Sequence, residues 1–205
     1  MDTKTLAVII VFAALTVALN PAVSGIGVPA PYLPFLVYQI WEVPIVVLFL
    51  LAGPKYAIPI AVLNAFVLLA LFIGPGGLPA GPFYNLIANL STLLGIFIIE
   101  KIYSLRFNNR RKETSYTSGS IRVAAATAMA IVLRVLVMTV VNYVTLGYSY
   151  PIGFSTPEAG IIALLPLIGL FNATLALYTV PLGYFINNIV ERTLGFNIRS
   201  RKGIE

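Results

Sequence analysis

The sequence predicts an all-α membrane protein with six transmembrane helices in a single integral membrane domain covering 1–205. Three observations carry that expectation. First, 59% of the 205 residues are hydrophobic and only 10% are charged, where a soluble domain carries about 25% charge. A globule this apolar cannot cover itself with polar groups, and disordered chains are polar instead. Second, Pro, Gly and charged residues divide the chain into apolar runs near 4–21, 31–52, 55–74, 83–104, 121–146 and 160–191. Six spans of about 20 residues use about 120 residues, which leaves short loops and no soluble domain. Third, 12 of the 13 Lys and Arg residues fall on one side of that arrangement.

The first run follows Lys4 and ends near Ala22 and Ser24, so it superficially resembles a secretory signal. Its charged region is thin and no secreted domain follows, so it reads as a span. Ala7, Ala14, Ala18 and Ala22 step by 7, 4 and 4, which keeps one side of this helix smooth. Ala14-x-x-x-Ala18 is a small-xxx-small pattern that admits a second helix backbone, from this chain or from another. The second run carries Gln39, Glu42 and then Pro44, whose missing donor loosens a helix. Asn64 in the third run is assigned to packing between helices. The following GPGGLPAGP (74–82) lacks the Lys-Ser/Thr ending of a phosphate loop and reads as a turn-rich connector. Asn85 and Asn89 sit four apart on one face of the fourth run. The basic loop 105–120 (LRFNNRRKETSYTSGS) is the only soluble-looking stretch and separates four spans from two. The fifth run starts Ala-rich and carries Arg134, Thr139, Asn142 and Tyr143; the sixth carries Phe171 and Asn172.

With an even number of spans both termini share a side. That side collects Lys4, Lys55, Lys101, Arg106, Arg110, Arg111, Lys112, Arg122, Arg192, Arg199, Arg201 and Lys202, and the opposite loops hold no Lys or Arg. The positive-inside rule places both termini in the cytoplasm of a multi-pass protein in the cell membrane, with lipid as its constant partner. The net charge of +6 is explained by these juxtamembrane cations and does not indicate nucleic acid. The absence of His and Cys removes haem, iron–sulfur, His/Cys zinc and Ser–His chemistry. No span holds a carboxylate pair, and no acidic cluster suits a metal. The chain reads as a non-enzyme with no catalytic residue, no metal and no resident cofactor.

An ionisable residue inside a span is a functional-site hypothesis by default. Glu42 lies 11 residues after Pro31 and Arg134 lies 13 after Ile121, roughly 16–20 Å into their helices at 1.5 Å per residue. Starting from opposite faces of a core ~30 Å thick, they reach comparable depth. Two readings follow: a structural ion pair, or charges facing a ligand cavity. Asn85, Asn142 and Asn172 fall in the outer halves of their spans beside Tyr84, Tyr143, Tyr148 and Phe171. Amides with aromatic walls suit a flat heteroaromatic ligand, while any single Asn also serves as a bond between helices.

This arrangement resembles the substrate-binding (S) component of energy-coupling factor (ECF) vitamin transporters over nearly the whole chain. The resemblance rests on the six spans, on Ala14-x-x-x-Ala18, and on Glu42-Val43-Pro44 followed by Ala52-Gly53-Pro54. It continues in Gly81-Pro82-Phe83-Tyr84-Asn85, in Asn142-Tyr143, and in Pro166 with Leu170-Phe171-Asn172. Within that superfamily it is most similar to the riboflavin-type S components. The resemblance implies a high-affinity vitamin-binding subunit that docks through helix 1, at Ala14 and Ala18, onto a transmembrane coupling subunit driven by two ATPase subunits. It also implies that the whole S component topples in the membrane to deliver its ligand. Glu42, Asn85, Arg134, Asn142, Tyr143, Tyr148 and Asn172 are the expected substrate-binding residues. Riboflavin is neutral, with a flat ring to stack and a uracil-like edge that amides match. A cation such as thiamine favours Glu42 and an anion such as biotin favours Arg134; if the two charges neutralise each other, a neutral ligand follows.

Overall fold

The computed structural model describes residues 3–71, 79–107 and 116–194. Helix α1 (Thr3–Ala18) is followed by a single turn, α2 (Pro21–Ser24), which Pro21 opens where its missing N–H costs nothing. The chain then forms a hairpin of β1 (Val28–Ala30) and β2 (Leu33–Tyr38), antiparallel, with Val28 opposite Tyr38 and Ala30 opposite Leu33. Helix α3 (Glu42–Ala52) comes next, then α4 (Pro54–Leu71), α5 (Gly81–Phe107), α6 (Tyr116–Thr145) and α7 (Glu158–Leu194).

Four of these helices, α4 to α7, are long and apolar enough to cross a membrane, which makes the chain a multi-pass membrane protein. α7, with 37 residues, reaches about 55 Å, well past a ~30 Å hydrocarbon core. Two expected spans differ. The run 4–21 becomes the 16-residue α1. The run 31–52 is not one helix: its first part pairs as a hairpin, and only Glu42–Ala52 is helical. The fold is therefore all-helical apart from this one two-stranded hairpin. Pro29, Pro31 and Pro34 explain the split, because each withholds an N–H while Leu33–Tyr38 is rich in residues that suit a pleated edge. Pro44 is likewise reassigned. It sits in the first turn of α3, where no helical donor is lost, and loosens nothing. Of the connector 74–82 only 79–82 lies among the described residues, and Arg110, Arg111, Lys112, Arg199, Arg201 and Lys202 lie outside them.

α3 is the axis of the bundle. Every residue from Glu42 to Leu51 is buried, and α1, α4 and α7 surround it. At its end Gly53 takes φ +89, a left-handed turn that favours glycine, and Pro54 starts α4 at once. α5 and α6 approach closely because Gly95 faces the backbone of Ala130, with Ala126 and Ala130 fully buried beside it. A Cβ on Gly95 would lie 2.6 Å from Ala130 Cα and 2.7 Å from its N. Backbone cannot yield as a side-chain tip does. Gly95→Leu is therefore expected to destabilise the protein by at least the ~1–3 kcal/mol typical of overpacking. A lower melting temperature in detergent checks this, and an unchanged one contradicts the close crossing.

Candidate functional site

The buried charges meet at one guanidinium. Arg134, 1% exposed, donates from its two terminal nitrogens to the two carboxylate oxygens of Glu42, at 2.5 and 2.8 Å. Its Nε–H donates to Asn172 Oδ1 at 3.0 Å, and one terminal nitrogen also reaches Thr92 Oγ1 at 3.1 Å. Helices α3, α5, α6 and α7 thus contribute one side chain each to a single network. The fork of Arg matches a carboxylate on two bonds, which fixes direction as well as charge. Glu42 is also 1% exposed, and neither ion is tolerable alone at this depth. Of the two readings open in the sequence, the ion pair is the one formed. Within the network Asn172 also donates its amide to Ile168 O, and the Thr92 hydroxyl donates to Ala88 O.

The hairpin lies directly N-terminal to Glu42 and is fastened to α7. The Tyr38 ring rests on Phe171, centroids 4.9 Å apart. Tyr178 Oη donates to Gln39 O at 2.6 Å and accepts from Gln39 N–H. Ala30 is fully buried in a cluster with Phe171 and Leu175, and Phe35 meets Phe154 at 5.7 Å. The Tyr32 and Tyr38 hydroxyls share a 2.5 Å hydrogen bond. Burial first, and then the bond to Tyr38, pushes the Tyr32 hydroxyl up to about 12.

The expected site residues divide into two sets. Glu42, Arg134 and Asn172 come together. Asn142 lies on the same buried stripe of α6 as Arg134, with Met138 between them, and donates its amide to Met138 O. Asn85 is half-buried in the first turns of α5, on the face that continues through Asn89 to Thr92. Tyr143 and Tyr148 are not brought in. Tyr143 is exposed and its hydroxyl donates to Glu158 at 3.2 Å, while Tyr148 is exposed in the loop after α6. Ala14 and Ala18 are exposed along the outer face of α1, as are Ile10, Val11 and Leu15.

Sequence reasoning missed three features: Thr92, the hairpin aromatics, and a second polar cluster near the opposite end of the bundle. There Arg122 forms a bidentate pair with Glu100, and the Tyr184 hydroxyl donates to the same carboxylate at 2.7 Å. A separate groove of about 240 Å³ between α1, α3 and α7 is lined by Phe12, Leu15, Leu19, Val43 and Val47 among others. Its apolar walls offer nothing to a polar ligand.

No protein-family model matches the chain, and no curated protein matches it. Among solved structures it is similar to the S component of a bacterial ECF transporter. The two are 21% identical, the match covers 96% of this chain and 100% of that one, and the TM-score is 0.67. The fold of this chain is the fold of that S component.

Proposed function

We propose that the chain is the high-affinity substrate-binding subunit of an ECF-type vitamin uptake transporter, with riboflavin as its ligand. The observation that carries this reading is the S-component fold over 96% of the chain. In this reading both termini are cytoplasmic and the hairpin faces outward. The ligand lies beneath the hairpin, bounded by Glu42, Arg134 and Asn172 and flanked by Asn85 and Asn142. Tyr32, Tyr38 and Phe171 take the role of aromatic cover in place of Tyr143 and Tyr148. The bidentate Glu42–Arg134 pair favours a neutral ligand, because a cation or an anion would have to compete with the charge already bound. The exposed Ala14 and Ala18 face docks on a transmembrane coupling subunit that carries two ATPase subunits.

Absorbance of the detergent-purified protein tests the ligand. A yellow preparation with a flavin spectrum, or a colourless one that becomes so on adding riboflavin, is the expected result. A colourless preparation that ignores riboflavin removes the vitamin assignment, leaving another neutral heterocycle.

A further inference from the structure

The polar centre satisfies its own members, yet two buried amides on α4 and α5 are left over. Asn64 on α4 and Asn89 on α5 are each 1% exposed. Among the described residues neither the Nδ2 nor the Oδ1 of either side chain has a hydrogen-bond partner. The indole N–H of Trp41, next to Glu42 and 2% exposed, is also unpaired. Native structures pair nearly all such atoms, and hydrocarbon offers no water as a substitute. If Asn64 only bonded one helix to another, its amide would be engaged.

Helical rise places these groups at one depth. Asn64 is 10 residues beyond Pro54 and Glu42 is 10 before Ala52, so each lies about 15 Å from the Gly53 turn they share. Asn89 is one turn from Thr92, whose hydroxyl holds Arg134. Asn64 belongs to the buried face of α4, and α4 packs against both α3 and α5.

We infer that Asn64 and Asn89, with the unpaired Trp41 N–H, form a second hydrogen-bonding site along α4 and α5 that takes a lactam or imide edge of the ligand. The inference rests on reading the chain as a substrate-binding subunit. Each amide presents two N–H donors and a carbonyl acceptor, and Trp41 adds one donor. A lactam or imide edge alternates carbonyl and N–H in the same way. It is neutral, as the closed Glu42–Arg134 pair requires.

A packing role and a binding role have opposite signatures. Asn64→Leu and Asn89→Leu exchange an unpaired amide for an apolar group of similar size. The melting temperature of the ligand-free protein is expected to hold or rise, because no bond is lost. Riboflavin affinity, read by quenching of flavin fluorescence, is expected to fall about 5- to 150-fold for each variant. Asn89→Ser, smaller and lacking the amide, gives a second variant should leucine prevent folding, with the same expected loss. A lower melting temperature with unchanged affinity overturns the inference, and so does unchanged behaviour in both. Should the wild-type protein ignore riboflavin, the vitamin assignment fails by itself. Mass spectrometry of small molecules released from the denatured protein then decides the site. A compound with a lactam or imide group, present in wild type and lost from both leucine variants, supports it. Equal retention, or no bound compound, overturns it.

Discussion

Glu42→Gln is expected to destabilise the protein by about 3–5 kcal/mol, because it leaves the Arg134 charge buried without its partner. Arg134→Gln is expected to cost a similar amount and also to strip Asn172 and Thr92 of the donor they share. The double replacement removes both charges at once and is expected to recover much of the loss. A double-mutant cycle on melting in detergent measures the coupling. Strictly additive losses would mean that the two ions are not held against each other. If each single change leaves folding intact but abolishes binding, the residues face the ligand separately and a charged substrate returns to consideration.

The second large effect concerns the amides along the stripes that run from the ion pair toward the hairpin. Asn142→Ala and Asn85→Ala are each expected to weaken riboflavin binding by about 1–3 kcal/mol, roughly 5- to 150-fold. Neither amide is tied to the ion pair, so folding is expected to change little. Asn172→Ala differs, because its carbonyl oxygen holds Arg134 Nε. It is expected to lower both affinity and melting temperature. Asn188, exposed on α7, is the control, and Asn188→Ala is expected to bind normally. Calorimetric titration of the four variants checks the pattern. Normal binding by the Asn85 and Asn142 variants would place the ligand elsewhere.

Much of this was legible because a membrane simplifies the code. α4 to α7 follow from apolar runs cut by Pro and Gly. Glu42 and Arg134 do meet, although the count that puts Glu42 eleven residues into a helix from Pro31 does not hold, because Glu42 opens α3 after a hairpin. The hairpin was not legible from apolarity, since a continuous apolar run is the same signal in a buried strand and in a helix. The prolines at 29, 31 and 34 held the missing information. Tyr143 follows Asn142 by one position, about 100° around the helix, and lies on the exposed side of α6 while Asn142 is buried. Thr92 belongs to no sequence pattern, although it extends the face of Asn85 and Asn89. Glu100 and Arg122 were hidden by their position. At the ends of apolar runs, charges are already explained by topology, and only coordinates reveal that Tyr184 joins them.

In the proposed reading this chain captures a vitamin for an ATP-driven partner. Uptake of labelled riboflavin into proteoliposomes tests it most directly, with the chain reconstituted alone, with a coupling subunit and two ATPases, and with the same partners but carrying Ala14→Leu or Ala18→Leu. The account predicts ATP-dependent uptake only in the complete assembly, and its loss in the leucine variants while their riboflavin binding stays near normal. Uptake that ignores the partners or ATP, or leucine variants that lose binding and uptake together, would contradict it.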